Sequence, residues 1–313
     1  MTILLSIVIP TYNRALYLKR CLNSLIAYNG DDIEIIVQDN CSPDNTNEIV
    51  KSIKDSRIKY YRNNVNLGLA PNIINILNRV TGKYVFYITD DDFLFPDAIE
   101  KIKTFIIDYD PIAFTSDIIT YFEKTHVATN FSCSKNNLIV DSDDFDNNAK
   151  IILSAGVITR VCFDVSQLDI NYLQKYGGDW FPQILMVGYL SSKGRLGYKA
   201  EPLGIHTWEN EVYWNIKDKD VNEKFNNSMV DVIIALTNVL NEKQIKAIIK
   251  LYILQNYGAY SYGIHPKLKQ YLNTKEIISL NCLGIMRHLL IVLKNKILFN
   301  FYNILNLKNV RKD

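Results

Sequence analysis

The N-terminal third constrains the fold most, because short apolar runs alternate there with stretches of helical period. Leu4–Ile9, Ile33–Val37, Arg57–Tyr61 and Tyr84–Thr89 are rich in β-branched and aromatic residues and read as strands. Between the first two, Leu18, Cys21, Leu22, Leu25 and Ile26 recur at i, i+3, i+4, i+7, i+8 and line one face of a helix. Ile49, Val50 and Ile53 mark a second helix, and Ile73, Ile74 and Leu77 a third. Strands alternating with helices at short intervals imply an α/β fold, with a mostly parallel sheet flanked by helices. Ile112–Ser116 continues that sheet.

In such sheets ligands sit at the carboxyl ends of the strands. Each polar cluster of this region follows a strand: Thr11 to Arg14, Asp39 to Asp44, Asn63 to Gly68, and Asp90 to Asp92. The last is the most demanding. At an effective dielectric near 20, two carboxylates about 5 Å apart repel by roughly 3 kcal/mol. Three in a row at a strand end are kept more easily if a cation binds, and oxygen ligands suit Mg or Mn, which commonly hold phosphates. The bland alternative is a solvated acidic turn in which Asp92 or Asp97 caps the next helix. Neither GxGxxG nor GxxxxGK[ST] occurs, so the dinucleotide and P-loop fingerprints do not apply.

The chain has 313 residues, 48% of them hydrophobic, with a formal net charge of +2. That suffices for a sizeable core, and the near-neutral balance argues against a nucleic-acid partner. Five scattered cysteines without CxxC spacing argue against structural zinc and fit a reducing compartment. The first residues lack a basic lead and a small-residue cleavage site, so they read as a strand and not a signal peptide. No uninterrupted apolar run reaches the roughly 18 residues of a membrane span. The expected location is the cytoplasm.

Ser6-Ile7-Val8-Ile9-Pro10-Thr11-Tyr12-Asn13-Arg14, Asp39-Asn40-Cys41-Ser42-Pro43-Asp44-Asn45-Thr46, Asn66-Leu67-Gly68 and Thr89-Asp90-Asp91-Asp92 together resemble family 2 glycosyltransferases. These are inverting, nucleotide-sugar-dependent enzymes of the GT-A fold. The resemblance is strong over the N-terminal third and thins toward Asn210. It implies that Pro10, Thr11 and Tyr12 frame the nucleobase and that Asp39 accepts a hydrogen bond from it. It implies that Asp90 serves the ribose or a metal-bound water, and that Asp91 coordinates Mn or Mg bridging the diphosphate. Thr89 stands where the family usually has the first acid of Asp-x-Asp. Arg14 is expected to reach a phosphate or to cover a helix start. Asn66 and Gly68 should form a tight turn, the glycine permitting positive φ. Asp44 and Thr46 read as a helix cap.

In the second half, Ser132 to Asn148 reads as a polar loop excursion and Ile151–Ile158 as an apolar segment broken at Gly156. Gly177-Gly178-Asp179-Trp180 precedes an apolar stretch. By the resemblance Asp179 is the base that deprotonates the acceptor hydroxyl in a single displacement; otherwise it caps the helix. Trp180 lines the acceptor or joins the core. His206 is a third metal ligand, a diphosphate contact or a structural histidine, and Gly204 stands where relatives commonly carry Arg. The expected organisation is a GT-A domain over 1–215 (nucleotide-sugar side 1–116, acceptor side 117–215) and a helical region over 216–313. Within the latter, Val230–Leu240, Ile245–Leu254 and Ile285–Leu307 read as helical. The last run, ending in Lys308, Arg311 and Lys312, suits an in-plane membrane helix, a cover for the catalytic domain or a contact with a partner subunit.

The resemblance thus implies an enzyme of surface-polysaccharide type, a metal-dependent hexosyltransferase. It would move sugar from a nucleotide-diphosphate donor, UDP favoured, to a glycan or lipid-linked acceptor at the inner face of the membrane. A non-catalytic sugar-nucleotide binder and a nucleotidyltransferase are the rivals. Against the latter, Pro10–Arg14 is not a Gly-rich basic triphosphate loop. The transferred sugar and the oligomeric state, homo-oligomer included, stay open.

Overall fold

The computed structural model describes residues 3–208, 219–256 and 264–287. The chain divides into two compact units, Met1–Ile248 and Ile249–Asp313.

The first unit is built on a ten-stranded sheet. Its parallel half comprises β1 (Leu5–Thr11), β2 (Ile33–Asp39), β3 (Ile58–Arg62) and β4 (Tyr84–Tyr87), with spatial order β3-β2-β1-β4. All seven residues of β1 and all seven of β2 are buried, as expected of parallel strands covered on both faces. On one face Leu5, Ile7, Ile9, Ile33, Ile35 and Val37 form a single core with the apolar stripes of α1 (Ala15–Ile26) and α4 (Ala98–Tyr109). α2 (Thr46–Ser52) and α3 (Leu69–Asn75) connect β2 to β3 and β3 to β4.

Register decides what lies along the carboxyl edge. Thr11 pairs with Asp39 and Asp39 with Arg62, so three strands end level with one another. β4 stops shortly before Asp90, and the acidic loop leads into β5 (Phe93–Leu94).

Beyond β4 the sheet becomes mixed. β6 (Ala113–Phe122) forms a hairpin with the exposed β7 (Val127–Phe131). β8 (Leu138–Val140) and the start of α5 (Phe145–Ser154) fall inside the stretch read from sequence as a loop excursion. β9 (Cys162–Asp164) runs antiparallel between β4 and β6. After α6 (Ile170–Tyr176) and α7 (Pro182–Ser191), β10 (Leu196–Trp208) pairs parallel with β6 and antiparallel with β5. The parallel expectation therefore holds for the N-terminal half, and the second half is mixed.

β10 matters because its pairing with β5 brings His206 and Thr207 to the acidic loop. Its register shifts twice, between Lys199 and Pro202 and between Pro202 and Ile205. Gly204 pairs with Leu94. A Cβ on Gly204 would stand 2.4 Å from the carbonyl oxygen of Phe93, so no larger residue fits while β5 lies there.

α8 (Lys219–Leu236) belongs to the first unit, although the sequence reading grouped it with the C-terminal helical region. α9 (Glu242–Asn256) begins in the first unit and ends in the second. The second unit contains α10 (Pro266–Lys269) and a helix over 274–287. Most of the Ile285–Leu307 run, and with it the membrane-surface expectation, lies outside the described residues. Among the described residues no helix is long and apolar enough to cross a membrane.

Candidate active site

The carboxyl edge gathers the sequence-selected residues into two adjoining groups. The first surrounds Asp39, which is fully buried at the end of β2. Its Oδ1 accepts from the Ser42 amide at 2.8 Å; its Oδ2 accepts from the Tyr60 hydroxyl at 2.6 Å and from Arg62 Nη1 at 2.8 Å. Burial and the Asp39 charge push the Tyr60 phenol up to about 12, which keeps it a donor. Asp39 is thus held by three protein groups. Pro10 is buried beside Asp39's strand, and Tyr12 is half-buried in the loop after β1.

Next to Asp39, buried Asn40 joins the loops. Its Nδ2 donates to Asn66 Oδ1 at 2.7 Å and to the Gly68 carbonyl at 3.1 Å. Its Oδ1 accepts from Asn63 Nδ2 and from the Leu67 amide, both at 2.9 Å. Asn66 Oδ1 also accepts from the Gly68 amide at 2.9 Å, and Gly68 has φ 85°, the tight turn expected from sequence.

The second group is the acidic loop. Thr11 Oγ1 donates to Asp90 Oδ2 at 2.6 Å, so its hydroxyl positions a carboxylate. Arg14 donates through Nη1 to Asp91 Oδ2, and the same nitrogen lies 3.8 Å from Asp90 Oδ1. Arg14 therefore neither caps α1 by its side chain nor stands apart from the acids. The α1 start is met from elsewhere: Asp44 Oδ2 accepts from the Ala15 amide at 2.9 Å, while its Oδ1 accepts from Thr46. Asp44 thus serves two helix starts.

Asp92 is fully buried. Its carboxylate accepts from Thr89 Oγ1 at 2.7 Å and from the Thr207 amide at 2.8 Å, and both oxygens lie 3.2 Å from His206 Nδ1. Asp92 does not cap α4, which starts after Asp97. It is the anchor that fastens β10 to the loop. His206 has its pKa raised: burial opposes the charge, but Asp92 and Asp91 outweigh it. Nδ1 is the ring nitrogen that Asp92 engages.

Burial raises the pKa of both Asp90 and Asp91, and neighbouring carboxylates raise them further, against the pull of Arg14. Burial and the neighbouring carboxylates thus outweigh the Arg14 guanidinium at both groups. Among the described residues no three His, Cys, Asp or Glu side chains form a cage able to hold a metal unaided. The donor set fits a hard ion shared between Asp91 and phosphate oxygens, the usual way Mg is held.

Arg20, a polar position of α1, carried no signal in the sequence. Its Nη2 donates to the Asp91 carbonyl and, at 3.1 Å, to Thr207 Oγ1. Its Nη1 lies 3.7 Å from Glu123. It ties the acidic loop, the end of β10 and the end of β6 to one helix.

Asp179 lies apart from this network. It is exposed and precedes α7, whose N-cap is Phe181 with Pro182 following. The helix thus starts later than the sequence reading placed it, and Asp179 does not cap it. Among the described residues its carboxylate makes no hydrogen bond or ion pair. Trp180 beside it is half-buried.

Residues 6–155 match the family model "Glycosyl transferase family 2". The GalNAc(5)-diNAcBac-PP-undecaprenol beta-1,3-glucosyltransferase of Campylobacter jejuni is 36% identical over 101 residues, 31% of this chain and 33% of that one. The abequosyltransferase RfbV of Salmonella typhimurium is 36% identical over 108 residues, 33% of this chain and 32% of that one. The matched stretch thus spans about a third of the length of these relatives. Among solved structures, S. aureus TarS 1–349 in complex with UDP superposes with a TM-score of 0.64 at 17% identity, over 87% of this chain and 76% of that one. At that identity the likeness concerns the fold, which is the GT-A arrangement of strands and helices. The motifs of Ser6–Asp92 lie inside the matched stretch, and residues 6–155 thus match as a glycosyl transferase family 2 domain.

Proposed function

We propose that the protein is an inverting glycosyltransferase that moves a sugar from a nucleotide-diphosphate donor, UDP favoured, to a hydroxyl of a glycan or lipid-linked acceptor. The observation that carries this reading is the convergence of Thr11, Arg14, Asp90, Asp91, Asp92 and His206 on one sheet edge, beside the Asp39 group. UDP is favoured because a carboxylate such as Asp39 suits a pyrimidine imide N–H, and because the TarS structure was determined with UDP. A lipid-linked acceptor is favoured by the Campylobacter relative, whose name specifies a PP-undecaprenol substrate. Such an acceptor would be met at the cytoplasmic face of a membrane.

In this mechanism Pro10, Tyr12 and Asp39 seat the base, and the Asn40-held loop at Asn66–Gly68 closes beside it. Asp90, fixed by Thr11, takes the ribose or an ordered water. Asp91, with His206 nearby, would hold Mn or Mg, which when bound supplies Lewis-acid stabilisation of the leaving diphosphate. Asp179 accepts the proton of the acceptor hydroxyl as its oxygen attacks the anomeric carbon. The bond to the β-phosphate oxygen breaks on the opposite side, inverting the centre.

Calorimetric titration with UDP, CDP, GDP and dTDP, each with and without Mn, tests the reading. Metal-dependent binding of one diphosphate, lost in Asp91→Ala, is the expected result. Binding of none of the four would overturn it.

A further inference from the structure

Arg14 occupies the carboxylate that the proposed function assigns to the metal. Its Nη1 donates to Asp91 Oδ2 and lies 3.8 Å from Asp90 Oδ1, filling the side of the acidic loop that faces β1. A divalent ion on the same carboxylate would compete with the guanidinium for it and set two cations side by side, in a partly buried setting where screening is weak. The Arg14 side chain is 20% exposed and that of Asp91 14%, so water offsets little of that repulsion.

The backbone around Arg14 is fixed independently of this ion pair. The Asn13 amide donates to Ser42 Oγ at 2.9 Å, the Ala15 amide to Asp44 Oδ2 at 2.9 Å, and Asn13 holds φ 57°. The Asp91 backbone is likewise held, by Arg20 on its carbonyl. The loop can therefore stay in place when the Arg14 side chain turns from the carboxylate. A diphosphate supplies what the exchange needs: oxygens that a guanidinium binds in a fork and that a metal shares with Asp91.

We propose that Arg14 is a built-in counter-cation, which occupies the metal carboxylate until a nucleoside diphosphate arrives and then transfers to the diphosphate. This rests on the nucleotide-sugar reading above and adds a rule to it: metal and nucleotide bind as a linked pair, each weak without the other. Coupling of this kind is reciprocal, so it can be read from the metal side.

The test measures Mn affinity of the full chain by electron paramagnetic resonance, alone and with saturating UDP or inorganic pyrophosphate, for wild type, Arg14→Gln and Arg14→Lys. Thermal melts establish that each variant is folded. Wild type is expected to bind Mn at least tenfold tighter with UDP than without. Arg14→Gln should bind Mn alone at least tenfold tighter than wild type, with the UDP enhancement falling toward unity, whereas Arg14→Lys should retain most of the coupling. If Arg14→Gln binds Mn alone no better than wild type, while wild type still binds Mn with UDP, the exchange is wrong and the site reading stands. If wild type binds no Mn under any of these conditions, the metal assignment fails and the exchange fails with it.

Discussion

Thr11 and Asp90, separated by most of the parallel half of the sheet in sequence, meet through a 2.6 Å hydrogen bond between hydroxyl and carboxylate. Asp90 is 6% exposed, so few waters can replace this donor. Thr11→Val keeps the shape and removes the hydroxyl. The cost of a hydrogen bond to a charged group, about 1.5–3 kcal/mol, should appear as a roughly tenfold or greater weakening of UDP binding with a small fall in melting temperature. Calorimetry beside a thermal melt separates the two. Undiminished binding would mean that Asp90 needs no positioning.

The strands, the first helices and the acidic motif were legible in the sequence because their apolar periods are long and clean. The carboxyl-edge placement followed from them. What was not legible is set by register and by non-local partners. Nothing in Tyr60 or Arg62 says that both turn to Asp39; that follows from β2 and β3 ending level. Exposed β7 has no apolar alternation to reveal it as a strand. Arg20 reads as one more charge on a solvated helix face until the acidic loop is folded against it. The start of α7 was misplaced although Pro182, a favoured first residue of a helix, was a usable signal.

Asn40 was passed over as part of a turn, yet it satisfies groups from four residues of the Asn63–Gly68 loop and is itself 4% exposed. Asn40→Ala would leave the Leu67 amide and Asn63 without that oxygen. A loss of about 1–3 kcal/mol in stability is expected, seen as a lower urea midpoint, together with weaker nucleotide binding as the Asn66–Gly68 turn loosens. A variant that melts early but binds UDP normally would confine Asn40 to a structural role.

A buried carboxylate far from the site provides a contrast. Glu34, 1% exposed near the start of β2, accepts from Ser6 Oγ at 2.5 Å, the Thr81 amide at 2.6 Å and Lys59 Nζ at 2.6 Å. Burial alone would raise its pKa, but the Lys59, Ser6 and Thr81 hydrogen bonds outweigh it and the net shift is downward. A depressed carboxylate contributes stability that is full above the unfolded value, near 4.3, and is lost as pH falls through the folded value. Glu34→Gln should therefore lower stability at pH 7 by about 1–3 kcal/mol and flatten the acid limb below about pH 4.5. Melting temperatures of both proteins from pH 7 to pH 3 show it. Parallel curves would remove Glu34 from the acid response.

Asp179 offers the sharpest separation of chemistry from structure. It is exposed, lies three residues before Pro182, and among the described residues has no hydrogen-bond or ion-pair partner to lose. Asp179→Asn should therefore leave the melting temperature within a degree or so, because exposed substitutions away from such contacts stay within about 0.5 kcal/mol. It should leave UDP binding unchanged as well, since the nucleotide side is assigned to other residues. Removing a general base typically costs about 10²–10⁴-fold in turnover. Sugar transfer from the donor identified by titration, followed by release of the nucleoside diphosphate, is the readout. Loss of transfer with binding and stability intact identifies Asp179 as the base and excludes a protein that binds the donor without using it. Retained transfer would move the base to another acid of the acceptor side, with buried Asp117 on β6 the next to replace.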